Sequence, residues 1–91
     1  MKRFVIERNM PGVGSLPAEK LKKAAEVSNA ALAKLGGRAQ WVHSYLAGDK
    51  TFCIYVAENA ELVAEHARLS GFPASAVTEV RTIIDPLTAV Y

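Results

Sequence analysis

The apolar residues of this chain switch repeatedly between a spacing of two and a spacing of three to four, and that alternation limits the fold to very few arrangements. Lys2–Arg8 alternates, with Phe4 and Ile6 on one side and Val5 and Glu7 on the other, as a strand does. "NMPGVGSLP" follows and is dense in Gly and Pro, so it reads as a loop. From Pro17 to Leu35 the period lengthens. Leu21, Ala24, Ala25, Ser28, Ala31, Leu32 and Leu35 form a helical stripe, with Pro17 suited to the first turn and Gly36-Gly37 to the end. Trp41–Leu46 and Thr51–Val56 are aromatic and β-branched, and Gly48-Asp49 between them suits a tight turn. Asn59 is a natural N-cap for a helix over Ala60–Ser70, which Gly71 closes. Val77–Ile84 reads as a last strand, stopped by Asp85-Pro86.

The order is therefore βαββαβ. With right-handed crossovers it predicts a ferredoxin-like α+β sandwich, four antiparallel strands with two helices on one face. The 91 residues predict a single domain over 1–91. Each strand carries apolar residues on both faces, yet the helices cover only one. The uncovered face predicts a homodimer through the sheet.

Charge and composition narrow the function. The net charge is +2, and the densest basic group, Lys20, Lys22 and Lys23, is flanked by Glu19 and Glu26, which reads as a solvated helix face rather than a nucleic-acid surface. No apolar run reaches the ~18 residues of a membrane span, and "MKRFVIERN" lacks a signal-peptide core. A lone cysteine forms no intrachain disulfide. A cytoplasmic protein with neither nucleic-acid nor membrane partners is the expectation.

The stretch "WVHSYLAGDKTFCIYVAEN" holds the only Trp, the only Cys, one of the two His and two of the three Tyr. A turn at Gly48-Asp49 sets Tyr45 opposite Phe52, Ser44 opposite Cys53 and His43 opposite Ile54. Trp41, His43, Tyr45, Phe52, Ile54 and Val56 then share one face, and Val42, Ser44, Leu46, Thr51, Cys53 and Tyr55 the other. His43 and Cys53 are kept apart, which opposes a Cys-His nucleophile unless a bulge intervenes. The Ser44, Cys53 and Tyr55 face is expected to gain Glu7 from the first strand and Glu79 or Arg81 from the last. Glu7, Ser44, Cys53, Tyr55 and Glu79 are thus the ligand-binding candidates, because a carboxylate among apolar neighbours is a functional candidate. The plainer reading pairs Glu7 with Arg81, and Glu79 with Arg8 or Arg3, at the sheet edges. His66 falls at the border of the second helix's stripe and reads as a packing residue with a wet tip. His43 and His66 are the weak metal candidates. "PGVGS" could offer backbone N–H groups to an anion, but it lacks the ending of a phosphate loop.

Trp41-x-x-Ser44-Tyr45, Asp49-Lys50-Thr51-x-Cys53-x-Tyr55-x-Ala57, Gly71-x-Pro73 and Glu79-Val80 resemble a family of small bacterial ferredoxin-like proteins, formerly a domain of unknown function, typified by a nickel-binding protein. The resemblance covers nearly the whole chain and implies the same fold and a dimer. The cofactor stays unknown from the residues, and the resemblance makes nickel one candidate. The type carries histidines at the exit of the first strand, near the end of the second helix and just before the Glu-Val of the last strand. The matching places here hold Glu7, Arg8 and Asn9, then Ala67 and Phe72, then Thr78, and His66 is one residue away. None of those imidazoles carries over, and first-row metals want imidazole or thiolate donors.

The expected function is a small dimeric ligand-binding protein, with metal as one class of ligand. The alternative is a cofactor-free enzyme, oxygenase- or isomerase-like, using a strand carboxylate in a pocket between sheet and helices. The sequence leaves open whether there is a reaction at all.

Overall fold

The computed structural model describes residues 1–90; Tyr91, the last residue of the expected domain, lies outside them. The elements run β1 (Lys2–Asn9), a short 3-10 turn (Val13–Ser15), α1 (Ala18–Ala33), β2 (Ala39–Leu46), β3 (Lys50–Ala57), α2 (Ala60–Ser70), β4 (Ala76–Val80) and a closing 3-10 turn (Pro86–Ala89). The sheet order is β2-β3-β1-β4, and each neighbouring pair is antiparallel. This is the ferredoxin-like α+β fold, with β1 and β3 in the middle.

Local chemistry sets the boundaries. The Asn59 side chain accepts a hydrogen bond from the Leu62 N–H at 3.0 Å, which starts α2. Gly71 ends it at φ 75°, a left-handed conformation that glycine adopts without strain. β4 is shorter than its apolar pattern suggests. It stops at Val80, four residues before the expected end, and Ile83 and Ile84 are exposed. Asp85 instead caps the closing turn by accepting from the Leu87 N–H at 2.9 Å.

The pleat sorts β1 into two sets. Phe4, Ile6 and Arg8 are buried, whereas Val5 and Glu7 are only half-covered. Phe4, Ile6, Cys53, Tyr55 and Ala57 from the sheet pack with Leu62 and Val63 from α2. Full burial of side chains such as Phe4 and Ile6 is worth ~1.5–3 kcal/mol each. On the outer face Val5 lies opposite Ile54, with Phe52, Val56 and Val80 half-covered around it.

The β1–α1 loop leans on the β2–β3 turn through backbone contacts. The Met10 N–H donates to the Asp49 carbonyl at 2.9 Å, and the Gly14 N–H to the Gly48 carbonyl at 3.0 Å. The Gly12 N–H donates to the Asp49 carboxylate at 2.8 Å. The N–H groups of Gly12 and Gly14, considered above for an anion, thus serve the hairpin.

Candidate functional site

β2 and β3 meet in the expected register, with His43 opposite Ile54, Ser44 opposite Cys53 and Tyr45 opposite Phe52. A bulge between Trp41 and His43 breaks it further on, so that Trp41 lies opposite Tyr55. The extra residue turns Trp41 from the outer face, where strict alternation puts it, to the helix face. Its indole Nε1–H donates to Ser44 Oγ at 2.9 Å. The bulge leaves His43 on the outer face, where its ring meets Tyr45 edge-on with centroids 4.9 Å apart. His43 and Cys53 therefore stay on opposite sides.

Between α1 and the sheet lies a cavity of about 230 Å³. Val13, Leu21, Ala24, Ala25, Leu46 and Phe72 give it apolar walls, and Trp41 contributes its ring. Ser28, Ser44, Thr51, Cys53 and Tyr55 add polar atoms, and Arg8 a fixed positive charge. Leu16, Leu21 and Leu46 line the cavity and are also exposed, which places its mouth among them.

Of the five ligand-binding candidates, Ser44, Cys53 and Tyr55 come together here. Glu7 and Glu79 do not join them. Glu7 follows the parity of Val5, not of Ile6, so it stands opposite Phe52 on the outer face and pairs with Lys50 at 3.5 Å. The expected cluster of Glu7 with Cys53 and Tyr55 is corrected by this one-residue offset along β1. Glu79 has the parity of Phe4, yet it lies on the edge strand and pairs with Lys2 at 3.9 Å in solvent. Neither the expected Glu7–Arg81 pair nor a Glu79 pair with Arg8 or Arg3 forms. The cavity walls contain no Asp or Glu among the described residues, so the strand carboxylate that the enzymatic alternative needs is missing from them.

Two residues emerge that the sequence reading undervalued. Arg8 is 2% exposed. Its Nη1 donates to the Pro73 carbonyl at 2.7 Å and to the Phe72 carbonyl at 3.4 Å, and the guanidinium carbon sits 5.8 Å from the centre of the Phe72 ring. Its Nη2 is buried and has no partner. The signal was present in β1, because Arg8 continues the buried register of Phe4 and Ile6.

His66 has no exposure at all, so the expected wet tip is corrected. It lies in the buried stripe of Leu62, Val63 and Ala67 on α2. Its Nε2 is hydrogen-bonded to Tyr55 Oη at 2.9 Å and to Ser28 Oγ at 3.3 Å. Burial, assisted by the positive charge of Arg8, pushes its pKa down to about 4, so the ring is neutral at pH 7. Burial also raises the Tyr55 phenol above its ordinary value, against opposing effects of Ser28 and Arg8. A neutral imidazole and a protonated phenol suit binding and packing at pH 7, and among the described residues Arg8 is the only charged side chain on the cavity wall.

The metal-ligating residue types are dispersed. His43 is on the outer face, Cys53 faces the cavity, and His66 lies beneath α2. Among the described residues no group of three or more His, Cys, Asp or Glu side chains is placed to hold a metal ion. No helix of the described chain is long and apolar enough to cross a membrane.

Residues 4–80 match the family described as "Nickel responsive protein SCO4226-like". The crystal structure of SCO4226 from Streptomyces coelicolor A3(2) is similar to this one at 18% sequence identity, over 90% of this chain and 99% of that chain, with a TM-score of 0.74. At that identity the likeness establishes the fold. No curated protein matches the chain.

Proposed function

The chain belongs to the SCO4226-like family of nickel-responsive proteins, and on that premise we propose that it is a small ligand-binding protein whose ligand occupies the cavity between α1 and the sheet. The observation that carries this reading is an apolar chamber of about 230 Å³ with convergent polar groups and one buried cation. Ligand sites are concave and mostly apolar, with a few polar groups that fix orientation, and span roughly 300–1,000 Å³ for drug-sized ligands. The smaller chamber here suits a smaller molecule. A nickel site is not supported by the donor set of a single chain, because His43, Cys53 and His66 face different spaces. Its single buried thiol suits the reducing cytoplasm.

Trp41 is the only Trp and lines the cavity, so its emission reports occupancy. Titration with hexanoate and with 1-hexanol should give a saturable change with at least one of them. Ala25→Phe, which fills the chamber from α1, should abolish that change while the circular dichroism stays the same. No saturable change with either probe would sink this reading.

The working unit in this proposal is a homodimer. Val5, Phe52, Ile54, Val56 and Val80 leave the outer sheet face apolar and half-covered, and Ile83, Ile84, Leu87 and Val90 add exposed apolar surface after β4. A second copy of the chain is the occupant that answers both surfaces. Sedimentation at micromolar concentration should give twice 9.8 kDa, and Ile54→Lys should shift it to monomer. A folded wild-type monomer would refute the dimer.

A further inference from the structure

We propose that the cavity selects a small apolar monocarboxylate, with Arg8 as the anchor of its acidic head; the inference rests on the ligand-binding reading above. Arg8 is buried on the central strand β1 and lines the chamber, yet among the described residues no acid pairs with it. The ion pairs among the described residues are Lys2–Glu79, Arg38–Glu58, Lys50–Glu7 and Arg68–Glu65, all of them exposed. A guanidinium cannot discard its proton, and a buried charge without a counter-ion is costly. The two carbonyls that Arg8 reaches, of Phe72 and Pro73, engage Nη1 alone, and Nη2 remains without an acceptor.

The groups around the chamber point to the same ligand class. His66 is neutral at pH 7 and Tyr55 is protonated, so neither supplies a counter-anion to Arg8, whose partners are the Phe72 and Pro73 carbonyls and the Phe72 ring. Ser28 and Thr51 put neutral hydroxyls on the wall of the same chamber. One guanidinium with a free donor and neutral hydroxyls matches a monoanion, whereas a phosphate dianion would call for more cationic donors. The apolar walls then fit the hydrocarbon part of the acid.

Hexanoate and 1-hexanol have the same chain length and differ at the head group. With Trp41 emission as the readout at pH 7, hexanoate should bind about tenfold or more tighter than 1-hexanol, the factor that one charge-assisted hydrogen bond supplies. Arg8→Met should reduce hexanoate affinity by a similar factor and leave 1-hexanol within about threefold, and Arg8→Lys should restore part of the preference. Equal affinity for the two probes in the wild type, abolished by Ala25→Phe, would overturn the carboxylate assignment and leave the cavity as a binding site. No binding of either probe would remove the cavity reading itself. Should Arg8→Met fail to fold, the wild-type comparison of the two probes decides alone.

Discussion

The Tyr55 hydroxyl of β3 and the His66 Nε2 of α2 lie 2.9 Å apart in a space closed to solvent, with ring centroids separated by 4.8 Å. This hydrogen bond ties the second helix to a central strand. The same Nε2 reaches Ser28 of α1 at 3.3 Å, so one imidazole joins both helices to the sheet. Tyr55→Phe keeps the ring and removes its hydroxyl. It should lower stability by ~1–2 kcal/mol, since His66 retains only the longer contact to Ser28. Urea unfolding should show a lower midpoint with an unchanged slope. An unaltered midpoint would mean that the bond contributes nothing net.

His66 also makes stability depend on pH in a definite direction. Its pKa is about 4 in the folded chain and ~6.5 in the unfolded one. Between those values the unfolded chain binds a proton that the folded chain refuses. The contribution is fully present above pH ~6.5 and is lost as pH falls toward ~4, to a total of about 3 kcal/mol. His66→Asn cannot titrate there. Unfolding curves for both proteins at pH 7.5 and pH 4.5 should show a larger acid loss for the wild type. Equal losses would contradict a buried, neutral imidazole.

Much of this arrangement was legible in the sequence because strand parity and helix punctuation are local. Asn59 and Gly71 bounded α2 at the residues where it begins and ends, and Gly48-Asp49 set the hairpin register for His43, Ser44 and Tyr45. Strict alternation puts Trp41 on the wrong face because a bulge has no local signature strong enough to reveal it. Ile83 and Ile84 looked like strand because β-branched residues favour strands, but β4 lies at the sheet edge and loses its only partner once β1 begins. Arg8 and Glu7 exchanged expected roles for a different reason. A carboxylate beside Tyr55 is chemically attractive, but the alternation of Phe4 and Ile6 puts Arg8 on that face and Glu7 on the other.

The exposed placement of Glu7 has a measurable consequence. Its partner is Lys50 at 3.5 Å on a half-open surface, and such pairs are worth ~0–1 kcal/mol. Glu7→Gln should therefore change stability by less than about 1 kcal/mol and leave hexanoate binding unaffected. A large loss in thermal melting temperature would show that Glu7 has a buried role that the register denies.

Gly14 supports the mouth of the cavity through close backbone contact. A Cβ at this position would lie 2.2 Å from the Ala47 carbonyl oxygen and 3.1 Å from the Gly48 Cα, both backbone atoms that cannot swing aside. Gly48, across the contact, has open space where its own Cβ would stand. Gly14→Ala should cost ~1–3 kcal/mol, by overpacking, and should disturb Val13 and Leu46 at the cavity wall. Gly48→Ala should be tolerated far better. Matched losses in the two variants, read by thermal melts, would argue against the close approach.

The family's description as nickel responsive gives the last test, because this chain has the fold without a convergent donor set among its described residues. His43 is held on the outer face beside Tyr45 by a register that places Cys53 on the opposite face. His66 has a free Nδ1, but that atom is sealed in the core and Nε2 is already engaged by Tyr55 and Ser28. Bringing all three of these donors onto one ion would require breaking the hairpin register that holds His43 on the outer face. Nickel gains affinity from several imidazole or thiolate donors acting together, and an unformed site spends binding energy on rearrangement. Calorimetry on the tag-free protein should accordingly show no stoichiometric nickel site tighter than roughly micromolar. A tight isotherm would refute the dispersed arrangement. His43→Ala and His66→Ala would then tell an outer-face site from a core one, since only the variant that removes a ligand would abolish it.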